Sequence, residues 1–321
     1  GIDCMVTSRK RRKQVYCILS VTVILLVAGV AYFLRRQNNA KPTTREPVKV
    51  TIAEGHQVIS ALVYIAQAKH YFEAEGLDVS VICHTSGRDA LKQALAGEAM
   101  LATVADTPIV HSVLAGEKLH TIATIATTKK NMAVLGRKDR VISTPADLAN
   151  KKIGVSVGTN GEYFLDSYLA MHGISKRNIE IVDLNPEEMV DALFAGRIDA
   201  VATWQPYLEI GRKKLAANTT ILYGSDVYKW TWNLAGKQSV LARSPEIIPN
   251  VLRALIRAEA FLREEPKAAR EIVAAHMKLD ESDVGRNMAE IRFAVELDQS
   301  LLTTRESQAR WAIRKGLTDK T

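Results

Sequence analysis

The segment KKIGVSVGTNGEYFLDSYLAMHG, residues 151–173, changes its hydrophobic period at Gly158, and that change decides the fold. Lys151 to Val157 is β-branched and reads as a buried strand. Gly158-Thr159-Asn160-Gly161 breaks it, and Glu162 to His172 then reads as a helix stopped by Gly173. The move repeats downstream. IEIVDL (179–184) predicts a second strand, and Asn185-Pro186-Glu187-Glu188 caps a helix that ends at Ala195-Gly196. IDAVAT (198–203) predicts a third strand, which delivers Trp204-Gln205-Pro206-Tyr207 to the same edge. Three strands alternating with two helices predict an open parallel sheet, and such sheets bind ligands beyond the carboxyl ends of their strands.

The same order of pieces occurs once more, from Val48 to Pro108. VKVTIA is a strand broken at Glu54 to Val58, a helix runs roughly from Ser60 to Glu75 with its apolar residues on one side, and Gly76 ends it. LDVSVIC leads to Ser86, the cap of a helix over Asp89 to Leu95. MLATVA then leads to Asp106-Thr107-Pro108. A strand, polar turn and helix repeated in this way predict two similar α/β lobes whose turn-bearing edges face each other across a cleft. Met100 stands where the second repeat has Asp199.

At 321 residues the chain is long enough for two domains. Its net charge of +8 is unevenly placed: residues 1–47 hold nine Lys or Arg against two Asp or Glu, so the rest is nearly neutral. A basic face for nucleic acid is therefore not expected on the folded part. Arg9-Lys10-Arg11-Arg12-Lys13 precedes a charge-free run, Val15 to Leu34, and about 20 apolar residues suffice to cross a bilayer. Positive charge stays inside, so the bulk of the chain is expected outside the cytoplasm, in the periplasm or on the outer membrane face. The run reads as a retained anchor. The alternative is a cleaved leader, with Gly29-Val30-Ala31 as the processing site. No lipobox precedes Cys17.

Gln37 to Pro47 reads as a tether. Ile122 to Gly136 carries the chain out of the first lobe, Ile221 to Arg243 carries it back, and Pro245 to Thr321 reads as nearly all helix. The expected division is 1–47 as basic segment, membrane helix and tether, 48–133 plus 229–321 as lobe 1, and 134–228 as lobe 2. Cys83 is the one cysteine of the domain, so no disulfide is expected within it, and on an apolar strand it reads as a packing residue. No cysteine or histidine pair has metal-ligand spacing, and neither a metal nor a cofactor is expected.

Four motifs in order, HYFEAEGLDVSV (70–81), TPADLANKKIGVSVGT (144–159), ALFAGRIDAVATWQPYLE (192–209) and EEPKAAREIV (264–273), carry a family resemblance. Over Val48 to Val273 the chain resembles the nitrate/sulfonate/taurine class of ABC-transporter substrate-binding proteins. The resemblance implies the type II periplasmic-binding-protein fold, each lobe a mostly parallel sheet flanked by helices. It also implies capture of a small solute between lobes that close about a hinge, and delivery to permease subunits in the membrane. The anchor-like amino terminus departs from the family pattern.

The turns supply the candidate contacts. Thr159, Asn160 and Gly161 open a helix, where free N–H groups favour an anionic oxygen, although an empty N-cap explains them as well. Ser86, Gly87 and Arg88 repeat that arrangement, and Arg88 offers a fork to a carboxylate or sulfonate if it is not simply solvated. Asp106 and Thr107 head a helix, as caps or as partners for a ligand amine. Trp204 and Gln205 follow a strand whose core positions are already filled, which favours a ligand platform over packing. Gln57, weakly, and Trp230 complete the set.

The expected protein is an extracytoplasmic, monomeric, non-catalytic solute receptor for a small organic anion or zwitterion: a sulfonate, taurine, nitrate or a related solute. The alternative is a membrane-tethered sensor that reports closure to a partner. No Ser-His-Asp spacing, Walker loop or cysteine cluster supports an enzyme.

Overall fold

The computed structural model describes residues 46–227 and 229–320. Pro47 to Thr321 forms one compact unit. Its first elements are β1 (Val48–Gly55), α1 (Ala61–Ala68), α2 (Tyr71–Ala74), β2 (Leu77–His84), α3 (Gly87–Ala96), β3 (Leu101–Ala105), α4 (Asp106–Leu114) and β4 (Leu119–Thr128). Then come β5 (Met132–Arg137), β6 (Lys152–Val155), α5 (Asn160–Met171), β7 (Glu180–Asp183), α6 (Pro186–Phe194), β8 (Ala200–Trp204), α7 (Tyr207–Leu215) and β9 (Thr219–Tyr223). The chain ends with β10 (Trp230–Lys237), α8 (Gln238–Leu241), α9 (Ile247–Glu264), α10 (Pro266–Met277), α11 (Glu281–Met288), β11 (Ile291–Glu296) and α12 (Ser300–Arg314).

Two sheets result, ordered β11-β4-β10-β3-β1-β2 and β7-β6-β8-β5-β9. The repeated strands pair in parallel, β2-β1-β3 in one and β7-β6-β8 in the other. Every strand added outside those triplets is antiparallel to its neighbours, so the sheets are mixed and not mostly parallel. The reason is connectivity: β4 and β9 leave their sheets in the βαβ direction, and β5 and β10, which enter from the other sheet at the same edge, must run against it. The chain crosses between Thr128 and Met132 and returns between Tyr223 and Trp230.

Two further expectations give way. The long helix expected over Ser60 to Glu75 is broken at His70, whose φ of 55° ends α1 and turns Phe72 back into the core. All of Ala61 to Ala66 is buried, because α9 and α10 cover the side expected to face water. The carboxyl-terminal region also contains a strand, β11, where a helix was expected. Its IRFAVE sequence is rich in β-formers and pairs with the exposed edge of β4, a partner that local pattern does not reveal. The capping expectations hold: Ser86 Oγ accepts from Asp89 N at 3.2 Å and Thr159 Oγ1 from Gly161 N at 3.1 Å.

The membrane helix expected at 15–34 lies outside the described residues. Among the described residues no helix is long and apolar enough to cross a membrane.

Candidate functional site

In the first sheet β1 and β2 run in register from Val48 beside Leu77 to Gly55 beside His84, so their carboxyl ends finish level. Close backbone contact holds this rim together. A Cβ on Gly55 would lie 2.6 Å from Gly87 N, and one on Gly87 would lie 2.7 Å from the Trp232 ring and 3.0 Å from Val104 Cα. Glycine is required at Gly87 because backbone and indole press on it together. Trp232 is fixed in turn by its Nε1, which donates to Ser60 Oγ at 2.9 Å.

The second rim faces the first. The Arg88 guanidinium reaches from the start of α3 and donates through Nη1 to the Val157 carbonyl just past β6. Its Cδ lies 3.7 Å from where a Gly158 Cβ would stand. At the hinge, Trp230 pairs with Thr128 at the end of β4 and Trp204 pairs with Met132 at the start of β5, so the two indoles flank one crossing. Gly161 is tightly approached: a Cβ there would lie 3.2 Å from both Thr159 Oγ1 and the Trp204 ring. Asn160 Nδ2 lies 3.3 Å from Met132 Sδ.

Buried polar atoms without a hydrogen-bond partner include Gln57 Oε1, Ser156 Oγ, Trp204 Nε1 and Trp230 Nε1 on these segments, with Thr203 Oγ1 next to Trp204 on β8. An unpaired buried polar atom costs about 1–3 kcal/mol, so such a group at the rims and hinge makes this region the candidate place for a ligand to bind. Both indoles are donors only. The starts of α3 and α5 add backbone N–H groups that have no intrahelical acceptor, and the caps use just one in each. This inventory is rich in donors and suits a ligand that presents oxygen acceptors.

Acids offer much less. Among the described residues the buried carboxylates are Glu54, Asp106 and Glu162, and each is engaged by the protein. Burial pushes the Glu54 carboxyl up, but His276, His56, Tyr64 and Cys83 outweigh it and hold it at about 2. Asp106 accepts from Thr107 N at 2.9 Å and from Thr231 N and Oγ1 at 3.4 Å. Burial raises its pKa, against the pull of Gln308 and Arg305 from α12. Glu162 Oε2 accepts from Gly158 N at 2.9 Å, and its other oxygen pairs with Lys315.

The structure thus brings Gln57, Ser86, Gly87, Arg88, Thr159, Asn160, Gly161, Trp204 and Trp230 to the two rims and the hinge. Asp106 and Thr107 are wholly buried, and Asp106 turns toward α12. The Gln205 side chain accepts from Glu209 N at 3.2 Å, a local cap, and it also lines a cavity of about 560 Å³ beside Asn131, Tyr223 and Asn287. Two participants were not singled out from sequence. Ser156 sits inside a run read as plain strand. Trp232 could have been found, because residues two apart in a strand share a face and Trp230 was already a candidate. The Met100 and Asp199 difference lies at the opposite, amino-terminal ends of β3 and β8, where Asp199 Oδ2 accepts from Lys152 N, and so leaves the rims alike.

Two sheets flanked by helices, joined by crossing strands and closed rim to rim, define the periplasmic-binding-protein fold. The alkanesulfonate-binding protein SsuA from Xanthomonas axonopodis pv. citri, solved bound to MOPS, superposes with a TM-score of 0.74 at 19% identity, covering 86% of this chain and 96% of that one. The family profile described as NMT1/THI5 like matches residues 58–269, and the chain belongs to that family. A putative aliphatic sulfonates-binding protein of Bacillus subtilis is 25% identical over 272 residues, 83% of this chain and 80% of its own length. The taurine-binding periplasmic protein of Escherichia coli is 26% identical over 162 residues, 50% of this chain and 49% of its own.

Proposed function

We propose that this protein is the extracytoplasmic receptor of an ABC importer and that it captures a small organic anion, a sulfonate or a related acid, between the two rims before passing it to permease subunits. The lobes that close carry one sheet each, with the first boundary at the Thr128 to Met132 crossing, just ahead of the expected 133/134, and the second at 228/229, and the apolar run at 15–34 holds them at the outer face of the membrane. The observation that carries the reading is the set of buried polar atoms without partners at the rims and hinge, three donors (Ser156 Oγ and the Trp204 and Trp230 indoles) and one acceptor (Gln57 Oε1), with Arg88 spanning the rims. The anionic head sits against the helix starts at Ser86 to Arg88 and Thr159 to Gly161. Trp204 and Trp230 donate from the hinge side, and Gln57 contributes from the first rim. Relatives named for sulfonates and taurine support this ligand class. An ammonium group on the ligand finds no free buried carboxylate, so a simple alkanesulfonate is favoured over the zwitterion taurine.

Isothermal titration of the full chain with alkanesulfonates, taurine, nitrate and aromatic carboxylates tests the reading. At least one sulfonate is expected to bind in the micromolar range, with taurine weaker by about tenfold or more. Silence with every solute overturns the receptor; taurine binding more tightly than the alkanesulfonates overturns the ligand preference alone.

A further inference from the structure

At the first rim, beside the cleft contact Gln57, the end of β1, the end of β2 and the last turn of α10 bring together four side chains with metal-binding chemistry. One ligand atom from each of Glu54, His56, Cys83 and His276 lies within 4.8 Å of all the others. Measured from Glu54 Oε1, His56 Nδ1 is at 3.3 Å, Cys83 Sγ at 3.4 Å and His276 Nε2 at 3.9 Å.

We propose that Glu54, His56, Cys83 and His276 form a tetrahedral site for a divalent transition metal of the zinc type. Zinc bonds of about 2.0–2.3 Å place neighbouring ligands of a tetrahedron roughly 3.3–3.8 Å apart, and the three distances fall on or within a few tenths of that range. One thiolate, two imidazoles and one carboxylate suit zinc and its borderline neighbours, whereas magnesium and calcium demand oxygen donors.

A second observation points to a missing partner. His276 Nε2 is buried and has no hydrogen-bond partner, because 3.9 Å to the carboxylate is beyond hydrogen-bond range. The surrounding groups hold the donors in place. Tyr64 OH donates to Glu54 Oε2 at 2.8 Å, which leaves Oε1 to face the other three. The Tyr64 ring stacks on His276 with centroids 3.9 Å apart and planes 19° from parallel. Outer partners of this kind fix ligand orientation. The His56 side chain is 36% exposed and gives an ion its way in. A bound ion would staple α10 to the first sheet, joining segments distant in the chain.

The test is metal titration of the full chain carrying Cys4→Ser and Cys17→Ser, after chelator treatment. Zn²⁺ should bind one equivalent per chain and raise the melting temperature. Co²⁺ in its place should give a thiolate-to-metal charge-transfer band. Cys83→Ser should abolish that band, and His276→Gln and His56→Gln should each weaken Zn²⁺ binding at least about tenfold. Each variant is first checked for unchanged circular dichroism, and the two histidine variants keep the test decisive if Cys83→Ser fails to fold. No saturable one-to-one binding, no charge-transfer band, or equal affinity in the histidine variants overturns the site.

Discussion

Trp311 Nε1 donates to Asp166 Oδ2 at 3.0 Å, and this bond ties the carboxyl-terminal helix to the second lobe. Trp311 also meets His111 of the first lobe edge-on at 5.7 Å and Tyr163 of the second at 5.2 Å. The same helix sends Arg305 to Thr121 Oγ1 in the first sheet, at 2.8 Å. Just beyond it, Lys315 pairs with Glu162 and Asp166 of α5. This helix therefore joins the lobes in addition to the crossing strands, the Arg88 to Val157 contact and the ion pairs of Lys213 with Asp283 and of Arg286 with Glu209.

Replacing Trp311 by Phe keeps a ring but removes the donor. The expected cost is about 0.5–1.5 kcal/mol, the net value of one hydrogen bond, read by urea denaturation. Small-angle scattering of the ligand-free variant should show a larger radius of gyration, because one interlobe tie is gone. Unchanged stability and dimensions would mean the helix does not hold the lobes.

Cleft donors should act on affinity, and at Trp204, which is also a buried core residue, on stability as well. Trp204→Phe retains the ring and removes an N–H that would face the anion, so affinity for the best sulfonate should fall about tenfold or more, since bonds to charged groups contribute about 1.5–3 kcal/mol. Arg88→Ala should weaken it further, with Arg88→Lys restoring little, because an ammonium cannot reproduce the planar fork. Calorimetry on both variants checks this; full affinity in Trp204→Phe would remove that indole from the site.

Gly87→Ala introduces a methyl group where the Trp232 ring stands at 2.7 Å and Val104 Cα at 3.0 Å. Overpacking of this kind costs about 1–3 kcal/mol, and the backbone contact leaves little room for relief. Thermal melting should show the loss, and Trp232 fluorescence should shift as its ring is displaced. A neutral substitution would contradict the close approach.

Asp106 gives a pH signature. Burial raises its pKa above the unfolded value, so its contribution to stability is complete below the ordinary aspartate range and is lost as pH rises through the folded value. Asp106→Asn cannot ionise. Its stability curve should be flatter than the parent's from about pH 4 upward, measured by denaturant unfolding at several pH values. Parallel curves for the two proteins would show that Asp106 titrates as it does in the unfolded chain.

Strand-turn-helix order, the internal repeat and the helix caps were legible in the sequence because they rest on neighbours within a few residues. Short apolar runs such as IDAVAT, the glycine stops and the Ser86 and Thr159 caps declare themselves locally. The mixed sheets were not legible, since the direction of β4, β5 and β10 depends on which sheet each one joins. For the same reason local pattern alone reads β11 as helix and α1 as an amphipathic helix.

Among candidate contacts, residue type and position beyond a strand end identified Arg88, Thr159, Trp204 and Trp230. They could not show that Asp106 turns toward Arg305 and Gln308, or that Ser156 is left without a partner. Glu54, His56, Cys83 and His276 are the extreme case: they meet only after α10 packs against the first sheet.

By itself, then, the sequence determined two look-alike α/β halves with polar turns at corresponding ends, because hydrophobic period and capping act through nearest neighbours. Tertiary structure alone decided which turns confront each other, which carboxylates are already taken and which buried donors stay unpaired. Those outcomes depend on contacts between residues far apart in the chain, and no local pattern encodes them.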